Sequence, residues 1–381
     1  MNGLYLHIPF CARRCAYCDF YSTVEGAEMR ERFVTALCRE IQLRAPFLPS
    51  AVLHSVYLGG GTPSQLNPSQ LSRIFRTIGQ RFSLAADAEV TLEVNPDDIA
   101  PTYLKELAKL PVNRLSMGIQ TFDDRLLRLL NRRHTARQAR RAFLMMREAG
   151  FSNISVDLMY GLPDQTVADW ERDVDEALSM GAAHLSAYAL TYEEGTALER
   201  MRRQGQVREA DEELSRQMYE LLLDKVRARG WEHYEISNFC LPGCRACHNS
   251  GYWNGMNYLG CGPGAHSYDG AVRRWNTADL TAYVSAGGDV DGRRLFEDEV
   301  LTPAMRADEM VMTRLRTADG LSLAAYGNAF GTAERAALTK RAQEPLQRGW
   351  LAYDVATDTL RLTRQGLFLS DGIMADLMPG L

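Results

Sequence analysis

Three cysteines, Cys11, Cys15 and Cys18, fall within eight positions directly after the apolar run Leu4–Ile8. Their C-x3-C-x2-C spacing lets one loop offer thiolates to three corners of a cubane iron–sulfur cluster, whose irons take cysteine sulfur as ligand. A [4Fe–4S] cluster held by three local ligands keeps one iron open. That iron can chelate the amino and carboxylate groups of S-adenosylmethionine (SAM), and an electron from the cluster can split the sulfonium to a 5′-deoxyadenosyl radical. The difficult chemistry then belongs to the cofactor rather than to side chains. Arg13 and Arg14 fit the negative charge of a thiolate-ligated cluster. Structural zinc would want a fourth Cys or His close behind Cys18, and none is there. A disulfide framework does not suit a long chain without a secretory segment.

Positioning such a loop takes a scaffold. The chain has 381 residues, 46% hydrophobic and 24% charged, as in a globular protein of one large and one small domain. A net charge of −5 excludes a general nucleic-acid binder. No apolar run approaches a membrane span and the first residues do not form a signal peptide, so the expected location is cytoplasmic, which also suits an oxygen-labile cluster.

Short β-like runs at Leu4–Ile8, Ser55–Leu58, Glu89–Val94, Arg114–Ile119, Ile154–Tyr160 and His184–Leu190 alternate with amphipathic runs at Arg30–Arg44, Pro68–Arg81, Thr102–Lys109, Ala136–Ala149 and Val167–Met180. This alternation predicts an α/β fold with a parallel sheet, a partial (β/α)6 TIM-type barrel with functional groups at the C-terminal strand ends. The expected domains are a barrel core over 1–205, an associated helix, strand and loops over 206–300, and a small winged-helix-like α+β domain over 301–381. In the middle region Ala210–Arg229 reads as a helix and Trp231–Phe239 as a strand. In the last, Pro303–Leu315 and Thr332–Arg348 read as helices, a hairpin turns around Ala356–Asp358, and Thr363–Leu377 reads as a final helix with Thr363 as N-cap.

The strand ends carry the next candidates. Strand two runs into Gly59-Gly60-Gly61-Thr62-Pro63, where glycines let backbone approach a ligand closely. Strand three ends at Glu93, a carboxylate that could bond ribose hydroxyls. Strand four ends Ser116-Met117-Gly118-Ile119-Gln120, and strand five carries Asp157 in an apolar run, where a charge needs a partner such as Arg132. Singly these are ordinary structural groups; together they ring one rim.

The cysteine motif resembles that of the radical-SAM superfamily. Leu4-Tyr5-Leu6-His7-Ile8-Pro9-Phe10-Cys11, the GGGTPS run, LEVNPD, LSMGIQTF and VDLMYGLP resemble its oxygen-independent coproporphyrinogen III oxidase branch over essentially the whole chain. The resemblance implies that Cys11, Cys15 and Cys18 ligate the cluster. It implies that Tyr5, Tyr17, Gly60 and Glu93 touch SAM or its surroundings. Gly61, Thr62, Gln120, Arg132, Asp157 and Ala189 match positions that in the oxidase hold SAM groups, a second SAM included.

A second rich stretch runs from Cys240 through Cys244, Cys247 and His248 to Trp253, and on through Asn257 to His266. Its Pro and Gly residues read as loops. His248 beside Tyr252 and Trp253 offers an imidazole with flat apolar surfaces, which suits haem iron. His248-Asn249-Ser250-Gly251-Tyr252-Trp253 matches the HNxxYW motif of the haem-chaperone group in the same branch, which implies haem binding by His248 with Asn249, Tyr252 and Trp253 nearby. Phe20 stands where the oxidase has a further cysteine, and the oxidase's N-terminal extension is missing. Cys240, Cys244 and Cys247 repeat the C-x3-C-x2-C spacing with His248 adjacent, so a second cluster or a zinc site stays open. His54, His134, His184 and His233 read as structural.

The expected function is a haem chaperone that passes haem to acceptor proteins, with a [4Fe–4S] cluster and SAM. The alternatives are a radical-SAM coproporphyrinogen III oxidase that decarboxylates propionates, or a radical-SAM enzyme acting on haem. The expected partners are haem as cargo and haem-accepting proteins, with peripheral contact to membrane haem proteins, as a monomer or homodimer and without nucleic acid.

Overall fold

A computed structural model describes residues 1–378. Six strands form in chain order: β1 (Asn2–Ile8), β2 (Val52–Gly60), β3 (Ser83–Val94), β4 (Arg114–Gln120), β5 (Asn153–Tyr160) and β6 (His184–Ala189). Each pairs in parallel with the next, as the alternating pattern requires. Three of the crossover helices begin at well-marked caps. Asn67 with Gln70, Thr135 with Gln138 and Thr166 with Asp169 each form a reciprocal capping box. Each cap contributes about 1 kcal/mol.

Alternate residues of each strand go to two environments. Leu4, Leu6, Val56, Leu58, Leu92, Leu115, Met117, Val156, Leu158 and Leu185 are buried in one apolar core. Burying each is worth about 1.5–3 kcal/mol. The intervening positions, among them Tyr5, Tyr57, Glu93, Arg114, Ser116, Asp157, His184 and Ser186, face a cavity inside the barrel. A closed (β/α)8 barrel fills that interior with branched apolar side chains. Here it is lined with polar and aromatic ones, and it stays open.

Three regions differ from the sequence expectation. Trp231–Phe239 is not one strand but two, β7 (Glu232–Glu235) and β8 (Asn238–Cys240), antiparallel to each other, with β8 closing on β6. The stretch after Trp253 is not all loop. It forms β9 (Asn257–Cys261), which pairs in parallel with the free side of β1, and the sheet continues through β10 (His266–Tyr268), β11 (Val272–Asn276) and β12 (Phe296–Val300). Cys247–Trp253, also read as loop, is a short helix. A buried polar group fastens the extension to the first crossover helix. Glu40, fully buried, accepts from Arg44, Asn276, the Tyr283 hydroxyl (2.6 Å) and the Gly262 N–H (2.7 Å).

Past residue 302 a second apolar core gathers Val311, Leu315, Leu321, Tyr326, Leu360 and Met374. Pro303–Leu315 is helical as expected, and Leu351–Asp354 with Thr359–Leu362 forms the hairpin. Two expected helices are interrupted. Thr332–Arg348 breaks at Ala342, next to Gln343–Gln347, whose third residue is Pro345, and Thr363–Leu377 breaks after Leu367 although Thr363 does cap it.

Candidate functional site

The cavity inside the barrel has a volume of about 690 Å³. At its upper end, where the strands finish, Cys11, Cys15, Tyr17 and Cys18 line it together with Gly60, Gly61 and Thr62. Two donors address the sulfurs. Thr62 Oγ1 donates to Cys11 Sγ at 3.4 Å, and Arg132 Nη1 to Cys15 Sγ at 3.3 Å. Burial pushes the Cys18 thiol up to about 11 and raises Cys11, the latter offset by bonds from Thr62 and Ser22. Burial opposes the Arg132 charge, yet the Cys15 sulfur beside it holds the guanidinium above its ordinary range. Arg132 thus adds a buried positive charge beside the sulfurs, while Arg13 and Arg14, exposed, line the same cavity.

The glycine run is explained mostly by packing. A side chain at Gly60, where φ is +103°, would collide with His7, and one at Gly61 would meet the backbone of Ile8 and Phe10. The Gly61 N–H is bonded to the Ile8 carbonyl at 2.9 Å, so it is not free for a ligand. Glu93 accepts from Tyr57 at 2.7 Å. Burial raises its carboxyl to about 7 despite that bond. Tyr5 hydrogen-bonds His7 Nδ1 at 3.2 Å, and burial and then Glu93 raise its phenol.

The expected Arg132–Asp157 pair does not form. Arg132 spends its donors on Cys15, Asn95 Oδ1 (2.8 Å) and the Gly118 carbonyl (2.5 Å). Asp157 instead accepts from Ser116 at 3.4 Å and from Ser186. Burial still raises its carboxyl, opposed by Ser186 and Arg114. Gln120 lines the same cavity in a left-handed conformation, φ +74°, at a register shift between β4 and β5. Non-glycine residues rarely hold that conformation, and bulges re-aim side chains beside functional sites. Ala189 lines the rim as well, and Phe20, 64% exposed, stands at the mouth.

At the lower end the helix Cys247–Trp253 closes the barrel. His248 is 2% exposed, near the N-terminal ends of β1 and β2, far along the strands from the cysteine loop. Its Nδ1 is bonded to Ser55 Oγ at 2.8 Å and its Nε2 to Tyr252 OH at 2.9 Å, and it stacks on Tyr57 with centroids 5.2 Å apart. Burial, then Arg114, lowers its pKa to about 3, which keeps the imidazole neutral. Asn249 and Tyr252 line the cavity with it. Trp253 does not; it faces away, under Arg316, whose guanidinium carbon is 5.1 Å from the ring centroid.

Among the described residues, no three His, Cys, Asp or Glu side chains converge as a single ion would require. Cys11, Cys15 and Cys18 border one cavity from a single loop, as the ligands of an iron–sulfur cluster would. Their partners fit such a group, since thiolate sulfur accepts from Thr62 and Arg132, and Arg132 Nε is a buried donor without a partner. The second cysteine set has other surroundings. Cys240 is fully buried in β8, Cys247 Sγ faces the His54 carbonyl at 3.7 Å, and both ring nitrogens of His248 are engaged.

His134 and His233 have structural partners, Nε2 with Ile119 O and with Ile236 O respectively. His184, bonded to Ser155 and Tyr234, nonetheless borders the cavity. Tyr57, Glu89, Asn95 and Arg114 were not singled out from the sequence. A period-two signal was available for Tyr57, Glu89 and Arg114, because polar residues alternate with apolar ones along these strands.

Residues 5–177 match the radical SAM superfamily and 301–369 the HemN C-terminal domain. The chain is 37% identical over 381 residues to the heme chaperone HemW of Mycobacterium tuberculosis, covering 99% of this chain and 94% of that protein. It is 35% identical over 332 residues to the heme chaperone HemW of Bacillus subtilis, with 87% of each covered. The solved structure of Escherichia coli coproporphyrinogen III oxidase (HemN), described as a radical SAM enzyme, superposes with a TM-score of 0.84 at 23% identity, over 100% of this chain and 90% of that one. This last likeness concerns the fold.

Proposed function

Because the chain belongs to the HemW family within the radical SAM superfamily, we propose that it is a haem chaperone that binds haem through His248 and hands it to acceptor proteins. The observation that carries the reading is the near full-length identity to HemW proteins, supported by a neutral His248 in the wall of an aromatic-lined cavity. Membership in the superfamily brings a [4Fe–4S] cluster and SAM. Cys11, Cys15 and Cys18 would hold the cluster. Tyr5, Tyr17, Gly60, Glu93, Gln120, Arg132, Asp157 and Ala189 line the chamber that SAM would fill, with Gly61 and Thr62 beside them. When bound, the reduced cluster supplies an electron to the SAM sulfonium.

The chain's own residues do the rest. Arg132 and Thr62 orient and electrostatically support the thiolates. Glu93, held by Tyr57, is a carboxyl that accepts or releases a proton near neutral pH, so it can accept from ribose hydroxyls once ionised. His248 is held neutral, the form that ligates iron. It must give up its bond to Tyr252 or to Ser55 to do so. The cytoplasm is the location consistent with this reading, and among the described residues no helix is long and apolar enough to cross a membrane.

An anaerobic haem titration of cluster-loaded protein tests the reading with wild type, His248→Ala and Tyr252→Phe. Stoichiometric binding that collapses in His248→Ala and survives in Tyr252→Phe supports it. Binding indifferent to His248 overturns it.

One observation favours a second reading, a coproporphyrinogen III oxidase. Gln120, Arg132, Asp157 and Ala189 all border the same cavity as the cysteines, more than a carrier requires. Turnover of coproporphyrinogen III with SAM and a reductant would establish that activity, and its absence in cluster-loaded, haem-binding protein leaves the carrier.

A further inference from the structure

The helix that bears His248 has only seven residues and lacks a cap of its own. Its N-cap position is Ala246, with no side-chain hydrogen bond. Alanine is a poor cap, and a helix this short does not hold its place unaided. Its first two N–H groups go instead to a carboxylate on the barrel wall. Glu89 Oε2 accepts from the Cys247 N–H and Oε1 from the His248 N–H, both at 2.9 Å. Glu89 is 8% exposed, and Arg114, 3% exposed, faces it with Nε 3.8 Å from Oε2.

The cross-strand register makes this more than a cap. Ser55 on β2 and Glu89 on β3 are direct partners in the sheet. One rung therefore holds both parts of one residue, Ser55 the His248 ring and Glu89 its backbone. A negative group at a helix N-terminus is favourable in its own right, and the two charge-assisted bonds are stronger than neutral ones. Arg114 sets an opposite charge beside the carboxylate, with both groups buried.

We propose that Glu89, with Arg114 as its counter-ion, is the positioning residue that sets where the His248 imidazole stands for haem ligation. This rests on the haem-carrier reading of His248. Glu89 touches no cargo; it acts through the backbone of the residue that does.

The test uses the full chain, cluster-loaded, as wild type, Glu89→Gln and His248→Ala. Glutamine offers one acceptor where the carboxylate offers two. Amide hydrogen exchange at Cys247 and His248, measured without haem, is expected to speed up by roughly tenfold or more in Glu89→Gln, while iron content and far-ultraviolet circular dichroism stay unchanged. Haem titrated into the same variant is expected to bind roughly tenfold more weakly, with a mixed rather than uniform histidine-ligation spectrum. Wild-type exchange and a wild-type haem spectrum in Glu89→Gln overturn the inference while leaving His248 as ligand. Haem binding by wild type that ignores His248→Ala overturns the carrier reading instead, and the exchange data then still decide whether Glu89 anchors His248. If Glu89→Gln does not fold, Glu89→Asp, which keeps the charge but shortens its reach, carries the same measurements.

Discussion

The two C-x3-C-x2-C sets share a spacing and end up at opposite ends of one barrel with different environments. Cys11, Cys15 and Cys18 sit on a loop beyond a strand's C-terminal end, bordering the cavity, with Thr62 and Arg132 donating to sulfur. Cys240 ends a strand, Cys247 starts a helix, and their thiols face the core and a carbonyl. Spacing alone permits a cluster in either set; only the first set combines it with a loop beside a cavity whose walls donate to sulfur. In the second stretch the proposed ligand is the histidine next door, and no donor comparable to Thr62 or Arg132 faces Cys240 or Cys247 among the described residues.

The largest break in that comparison would come from iron. Cys15→Ser should lose essentially all iron after anaerobic reconstitution, whereas Cys244→Ser should match wild type by iron assay. Iron missing from Cys244→Ser would put a metal in the second set. Next comes Arg132→Gln, which removes a positive charge 3.3 Å from Cys15 Sγ. The cluster potential should fall by on the order of 100 mV in an electron-paramagnetic-resonance redox titration. An unchanged potential would make Arg132 a structural group only.

A pH measurement sharpens the upper end. The folded-state pKa of Glu93 is raised to about 7 from 4.5, so the native state binds the extra proton between those values. Its contribution to stability is therefore full below about pH 4.5 and is lost as pH rises through 7. The loss is at most about 3 kcal/mol, and less for the water the cavity admits. Denaturant melts of the ligand-free protein should show this decline in wild type relative to Glu93→Gln. Parallel curves would mean that Glu93 is ionised throughout. The smallest effect belongs to the lower end, where Tyr252→Phe unpairs His248 Nε2 and should cost about 1–2 kcal/mol by urea denaturation.

The barrel strands and their helices were legible because apolar residues recur at every second strand position and along one face of each helix, with Pro68–Arg81 matching to the residue. The cysteine loop was legible because its ligands are adjacent in the chain. The lower end was not. Nothing local tells residue 257 to pair with residue 2, or Glu89 to cap a helix that begins at Cys247. Pro242 with Gly243, and residues 262–264, are turns, as their composition argues, but the strand Asn257–Cys261 and the helix Cys247–Trp253 between them are held by partners far away in the chain. The missed Arg132 partners have the same cause, since Asn95 and the Gly118 carbonyl reach it only through the barrel's curvature.

The pairing of β1 with β9 also bears on how the molecule assembles. Asn2 lies opposite Asn257, so the strand that leads into the cysteine loop gains its second neighbour only after two thirds of the chain has been made. Closing a loop of that length costs about 5 kcal/mol of chain entropy before the pairing returns anything. Contacts of such long range slow folding. Until β9 arrives, β1 is an edge strand with an open row of hydrogen-bonding groups beside three free cysteines. The protein spends its early life with its most sensitive segment at an unfinished border.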